Sequence, residues 1–251
     1  VNKSITHMMF DSAFHRLILA DQSGQLTIIN YLNGSTQKQN RERDRQSNIS
    51  SMRYVSADRM IVTSSWDCSV CIWDEGTSTA HTIELVRRIK GAMRDDITCM
   101  DFSYHLSAIA TATAHGEIVV WDFQTVLKQC QFEAEKATEI TTLAFCTPYP
   151  ILVSTDTLGC CCMWRLDSTG GSNNAFENKH MPLSFFSHSP FVGVHAAILS
   201  STIMHVQDQL LFYAGGEYGH ISCWDLKPVI TYCKVMPVGR SPTSLTSYNP
   251  R

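Results

Sequence analysis

Residues 97–123 decide the fold: Ile-Thr-Cys-Met-Asp-Phe at 97–102, Ala-Ile-Ala-Thr-Ala-Thr-Ala at 108–114, and Glu-Ile-Val-Val-Trp-Asp-Phe at 117–123. Each run is short, rich in β-branched and aromatic residues and bounded by turn residues, so it reads as three β segments. The second and third runs meet at Gly116. A tight hairpin there needs a positive φ, which glycine adopts at little cost. The run Glu117–Trp121 is apolar on both faces, as a strand covered on both sides must be. A lone sheet of three or four such strands could not bury that surface.

The same unit recurs along the chain. Trp-Asp pairs stand at Trp73-Asp74, Trp121-Asp122 and Trp224-Asp225, with Trp164-Arg165 and Ile29-Asn30 as decayed copies. Counting back 24 residues from each anchor reaches Ile5, Ile49, Ile97 and Ile140, each opening a similar hexapeptide, and a looser match at Ser200. Counting back 12 gives Leu17, Ile61, Ile109, Leu152 and Phe212; counting back five gives Gly24, Gly116, Gly159 and Gly219, with Cys68 the exception. Three registers held across five units make an internal repeat. The repeat cores span 5–30, 49–74, 97–122, 140–165 and 200–225. Stacking copies radially would bury the apolar faces between neighbours, each Trp contributing roughly 150–250 Å².

Length varies only between cores, where gaps of 20, 24, 19 and 36 residues hold a weaker fourth strand (THTIELVRRI, VLKQCQFEA; ITYCKVM after the last core) and a loop. Ser168–Asn174 is a turn-rich insertion and 39–46 a mixed-charge loop.

Composition narrows the function. Apolar residues make up 44% and charged residues 17%, as in a packed domain, and the net charge of −3 argues against a nucleic-acid phosphate backbone as partner. No apolar run has the length of a membrane helix. Ten cysteines in so apolar a chain suggest a reducing compartment rather than a disulfide framework; Cys160, Cys161 and Cys162 would alternate faces of one strand. Sequons at Asn2, Asn33 and Asn48 would then stay unused.

With these residues the chain resembles the WD-repeat family over nearly its whole length. The resemblance implies a β-propeller of four-stranded antiparallel blades, most often about seven to a ring, and a protein-gripping role in which enzymatic activity is rare. Five blades are present, so an all-β fragment of a longer chain is expected, completed by two more units of about 43 residues upstream. The family's blades often link a His, a Ser/Thr, a turn Asp and the Trp. The His place here holds Val1, Arg45, Met93, Lys136 and Ala196, and the turn Asp is read at Asp67 alone. Hydroxyls remain at Thr63, Ser65, Thr111, Thr113 and Ser154, and Trp121 and Trp224 are expected to find other partners or water. The phrases RMIVTSSWDCSVCIWDE and ILVSTDTLGCCCMWRLD are also similar to the long WD-repeat proteins of ciliary and flagellar axonemes, which would make the partners axonemal or microtubule-associated proteins, in the cytoplasm or cytoskeleton.

Candidate sites are few. Cys68-Ser-Val-Cys71 has metal-ligand spacing but no second pair, and Cys71 takes a strand place. Gly215–Gly219 lies at a hairpin rather than before a helix, so no phosphate cradle is expected. No G-x-S-x-G or H-E-x-x-H motif occurs, and no acidic pair recurs as a hydrolase would need. The expectation is a non-enzyme with no cofactor, metal, membrane or small-molecule substrate. Trp224-Asp225-Leu226-Lys227 resembles a phrase of ubiquitin-ligase substrate receptors, which makes a substrate-recruiting adaptor the rival function. The expected contact surface is the rim formed by gap loops and second hairpins: Arg41, Arg43, Arg45, Trp66, Asp67, His115, Glu117, Glu217 and Tyr218.

Overall fold

The computed structural model describes residues 4–11, 15–41, 44, 47–76, 81–134, 137–166, 184–187 and 196–237. Strands follow one another as antiparallel meanders. β1 (Ile5–Asp11), β2 (Arg16–Asp21), β3 (Leu26–Asn30) and β4 (Thr36–Asn40) form the first, and β5 (Ile49–Val55), β6 (Met60–Ser65), β7 (Val70–Asp74) and β8 (Thr82–Ile89) the second. β9 (Ile97–Ser103), β10 (Ala108–Thr113), β11 (Glu117–Asp122) and β12 (Lys128–Glu133) form the third, and β13 (Ile140–Phe145), β14 (Ile151–Asp156), β15 (Cys160–Arg165) and β16 (Ser184–Ser187) the fourth. The fifth has three strands, β17 (Ile198–Val206), β18 (Gln209–Gly216) and β19 (Ile221–Asp225). A short parallel pairing of β4 with β8 joins the outer edges of the first two.

The first strands β1, β5, β9, β13 and β17 neighbour one another in chain order. Four apolar layers fill the spaces between successive sheets. In each internal sheet the Trp-bearing face looks back and the other face looks forward: Trp73 packs with Ile18 and Leu26 of the first sheet, while Val62, Val70 and Ile72 meet Ile97, Ile109 and Trp121 of the third. This is why the third strands are apolar on both faces. Cys162 falls in the layer behind the fourth sheet and Cys161 in the layer ahead of it, the alternation expected of consecutive strand residues. All ten cysteines are free.

A hydroxyl ten residues before the Trp takes its indole N–H: Trp73 to Thr63 at 2.9 Å, Trp121 to Thr111 at 3.0 Å and Trp164 to Ser154 at 2.8 Å. The expectation that Trp121 finds another partner is therefore corrected; the two side chains face each other across paired strands. In the fifth sheet that place is Ala214, and Trp224 stacks on Phe212 and Phe186 instead, with ring centroids 5.8 and 5.4 Å away.

The second hairpins share a further device. Eight residues before the anchor stand Asp21, Ser65, Thr113 and Asp156. Asp21 Oδ1 accepts the Ser23 and Gln25 N–H groups at 2.8 and 3.0 Å, and Asp156 Oδ1 those of Leu158 and Cys160 at 3.0 and 2.7 Å. Thr113 Oγ1 accepts the Glu117 N–H at 3.2 Å, and Ser65 Oγ that of Asp67 at 3.1 Å. These oxygens satisfy turn donors that the strands leave open. Turn carboxylates are thus not confined to Asp67; the side-chain oxygen is carried mainly one strand-end earlier.

Gly116 has φ +83°, and a Cβ there would lie 3.1 Å from Ala134 Cβ and 3.2 Å from the Thr138 carbonyl. Gly116→Ala is expected to lower stability by about 1–2 kcal/mol, through left-handed backbone and crowding together. Gly219, at φ +73° with open space around it, should lose less on the same change. Urea unfolding of both variants checks the order.

Two expectations change in the fifth repeat. The 24-residue step lands on Ser200, but the place of Ile49, Ile97 and Ile140 is held by Ile198, fully buried and paired with Gly216 across a bulge; the β17–β18 hairpin is longer than its counterparts. The segment ITYCKVM, read as a fourth strand, lies partly in a short helix, α1 (Lys227–Tyr232), so the fold is not wholly β. Pro228 in its first turn fixes a helical φ, and Ile230 buries into the last apolar layer.

Candidate functional site

The tips of the second hairpins all fall at one end of the sheets, because each joins the second strand to the third. There the chain entering each first strand is tied to the neighbouring tip: Gln22 N to Ser4 O at 3.1 Å, Trp66 N to Asn48 O at 3.2 Å, Thr157 N to Glu139 O at 3.1 Å and Glu217 N to Ala197 O at 3.0 Å. The rungs make a continuous rim of backbone fixed by sheet, from which side chains project.

On the second and third sheets the rim is aromatic and acidic. Trp66 sits on the β6–β7 tip and is 55% exposed. Next to it, Asp67 Oδ1 accepts the Ser69 N–H at 3.1 Å, which fixes the tip. The Ala92 N–H reaches the Cys68 carbonyl at 2.9 Å and brings the segment Arg94–Asp96 alongside. Burial, then the carboxylates of Asp96, Asp67 and Asp95, push the Cys68 thiol up. Those three acids therefore lie within electrostatic reach of one thiol. His115 Nδ1 lies 3.2 Å from Asp95 Oδ2, and Glu117 accepts from Gln131 Nε2 at 2.7 Å and the Arg94 N–H at 3.4 Å.

Of the expected rim residues, Trp66, Asp67, His115 and Glu117 are thus gathered in one patch. Glu217 and Tyr218 occupy the β18–β19 tip, two sheets further on; Tyr218 is exposed, and its carbonyl lies 3.1 Å from His220 Nδ1. Arg41 stands at the outer edge and pairs with Glu84 at 3.2 Å. Arg43 and Arg45 lie outside the described residues. Among the expected blade-structural residues, Trp73, Trp121 and Trp164 are buried, Trp224 is partly buried, and Gly24, Gly116, Gly159 and Gly219 all take positive φ at their tips. Arg94, Asp95 and Asp96 were not among the candidates; as a charged triplet just before Ile97 they carried the one signal that could have found them.

At the opposite end lies a cluster with no counterpart in the sequence reading. Glu75 is fully buried and accepts from Tyr54 Oη at 2.7 Å, Lys38 Nζ at 3.1 Å, Arg59 Nη2 at 3.3 Å and Arg16 Nη1. Arg16 also reaches Asp11 at 2.6 Å. Burial alone would raise the Glu75 carboxyl, but the hydrogen bonds from Arg16, Tyr54 and Lys38 outweigh it and hold it at about 2. Burial and the Glu75 carboxylate push the Tyr54 phenol up to about 12. Arg16 is desolvated too, yet its two carboxylate partners hold its guanidinium firmly charged. Each of these side chains is engaged by at least one other, which makes the cluster a clamp between the first two sheets.

Asp225 accepts the Lys227 N–H at 3.0 Å, and Lys227 Nζ pairs with Asp208 at 2.5 Å. Among the described residues no group of three or more His, Cys, Asp or Glu could hold a metal, and no helix is long and apolar enough to cross a membrane.

Comparison with known proteins agrees with the repeat. Residues 38–74 and 83–122 match the family described as WD domain, G-beta repeat. No curated protein matches the sequence. Solved structures similar to the chain are numerous. One is the crystal structure of Chaetomium thermophilum Raptor, with a TM-score of 0.72 at 15% identity over 90% of this chain. The chain spans 20% of that protein's length. The repeat spacing, the Trp–hydroxyl bonds and the family match lead to one conclusion: residues 38–74 and 83–122 are WD repeats, and the same unit recurs on either side of them.

Proposed function

We propose that this chain is a run of propeller blades acting as a scaffold that grips protein partners through the rim around Trp66, as a structural component of a large assembly such as the ciliary axoneme. The observation that carries the binding surface is Trp66, more than half exposed on a tip fixed by backbone and next to Asp67. A Trp side chain has only two χ angles to order on binding, and Trp dominates interface energetics. The axonemal placement is supported by the likeness of two phrases, 59–75 and 151–167, to those of the long WD-repeat proteins, and it implies partners associated with microtubules.

Trp66→Ala should weaken partner capture by about thirtyfold or more, as expected for a hot-spot residue, and leave the melting temperature unchanged. The measurement is quantitative cross-linking in intact cells, wild type against variant. Tubulin-bound proteins among the Trp66-dependent partners support the reading. Ligase subunits captured through Asp225 and Lys227 would replace it with the adaptor, and capture indifferent to Trp66 would move the contact surface off this rim.

A further inference from the structure

The second sheet departs from the repeat at its outer strand. Register places Arg88 opposite Cys71 and Arg87 opposite Ile72. The same places in the third sheet hold Gln131, opposite Val119, and Cys130, opposite Val120. In the fourth they hold Phe185, opposite Cys162, and Ser184, opposite Met163. Two adjacent arginines are therefore no requirement of the unit. With Lys90 they set three cations against one acid, Glu84, within residues 84–90 of a chain whose net charge is −3.

Packing adds a further cation and fixes the array. β4 pairs in parallel with the start of β8, Gln39 with Thr82 and Asn40 with Ile83. Beyond that pairing Arg41 reaches Glu84 at 3.2 Å, and the Asp44 carbonyl accepts from Arg88 Nη2, so Arg41 and Asp44 both lie along β8. The first of these contacts occupies the one carboxylate of β8. Arg88 is held a second time by Cys71 Sγ, 3.2 Å from its Nε. Arg87 and Lys90 are exposed, and neither has an ion-pair or hydrogen-bond partner among the described residues. Consecutive strand residues point to opposite faces, so Arg87 and Arg88 flank the strand on both sides. Like charges left in water at such close quarters repel one another, and a partner of opposite sign turns that repulsion into attraction.

We propose that the outer edge of the second sheet, from Arg41 along β8 to Lys90, binds an extended polypeptide segment rich in glutamate or aspartate. At about 3.3 Å per residue, the run from Glu84 to Lys90 spans roughly 20 Å, the reach of an extended segment of about six residues. Alternate carboxylates of such a segment recur about every 7 Å on one side and meet successive cations of the strip. The free guanidinium fork of Arg87 matches a carboxylate with two parallel hydrogen bonds, and Lys90 supplies a point charge. A nucleic-acid backbone fits less well, because it is charged at every residue and the chain around the strip is net negative. The strip does not include Trp66, so the inference is independent of the rim as a partner site.

The test is fluorescence anisotropy of labelled poly-L-glutamate titrated with the full-length protein. Binding is expected, and it should weaken about tenfold or more as salt rises from about 0.01 M to about 0.1 M, since the Debye length falls from roughly 30 to 10 Å. Arg87→Glu and Lys90→Glu together should weaken it about tenfold or more, because two attractive contacts become repulsive. The melting temperature should move by about 2 °C or less, as both sites are exposed. Lys90→Glu alone, just past the end of β8, should weaken binding about threefold and keeps the test open if the double variant unfolds. Trp66→Ala should leave binding unchanged. No binding, or binding indifferent to Arg87 and Lys90, would overturn the proposal. Loss of binding with Trp66→Ala would overturn it by moving the acidic ligand to the rim, and polyuridylate bound more tightly than poly-L-glutamate would assign the strip to nucleic acid instead. Poly-L-glutamate still bound through Arg87 while partner capture ignores Trp66 removes the rim reading and leaves this one standing.

Discussion

Glu75→Ala is expected to destabilise the protein by about 3–5 kcal/mol, because it strips a charge cluster of its central, fully buried anion. In a chain of this size that corresponds to a fall in melting temperature of roughly 6–20 °C. Arg16 and Lys38 are 4% exposed and would be left facing each other with Asp11 as the remaining carboxylate. Glu75→Gln should cost less, since the amide keeps an acceptor for Tyr54 while losing the charge. The pH dependence has a definite sign. Glu75 has its carboxyl lowered from 4.5 to about 2, so its contribution is complete above about 4.5 and is lost as pH falls from there through 2. Thermal melts monitored by circular dichroism between pH 7 and pH 2.5 should show a steep acid loss in the wild type and a shallower one in Glu75→Ala. Equal slopes would mean the cluster does not couple folding to protons.

Trp73→Ala should be comparable in size, about 3–5 kcal/mol for the cavity alone, with about 1 kcal/mol more for the Thr63 hydroxyl left without its indole donor. Trp73 is fully buried between the first two sheets, and its N–H is 2.9 Å from Thr63. Trp73→Phe should recover most of the packing and retain the hydrogen-bond loss. The comparison that matters is Trp224→Ala. Trp224 opens the same Trp-Asp dipeptide, but it is only partly buried and stacks on Phe186 and Phe212 without a hydroxyl at Ala214. Its loss should be about half or less, within the usual range for partly buried residues. Denaturant midpoints of the three variants test the order, and a Trp224→Ala loss equal to that of Trp73→Ala would overturn the account of what each Trp does.

The two predictions mark where sequence reading succeeded and failed. The anchors, the hairpin glycines and the apolar third strands were legible, since each is a local requirement repeated in register: a positive φ at Gly116, alternating faces at Cys160–Cys162, a ring beside a hydroxyl at Trp164 and Ser154. Glu75 was not legible. Its partners Arg16, Lys38, Tyr54 and Arg59 lie 59, 37, 21 and 16 residues before it, and no spacing rule joins them. Asp21 and Asp156 were not legible as turn acceptors because the turn Asp is expected at the place of Asp67, two residues nearer the Gly or Cys place. The rim patch was half legible: Trp66, Asp67, His115 and Glu117 could be picked as tip residues, whereas Asp95 and Asp96 join them through the backbone contact between Ala92 and Cys68.

The amino-acid order alone determined the unit and which faces are apolar, because strand period and turn chemistry act between near neighbours. Tertiary structure decided which of those equivalent faces are covered. Ile118 and Ile221 hold the same place in the repeat, yet one is sealed by the next sheet and the other meets water. Burial belongs to the neighbour as much as to the residue, and the neighbour is chosen by packing across the stack. The same holds for Val229–Val235, whose local preference for strand yields in part to a helix that buries Ile230 in the last apolar layer.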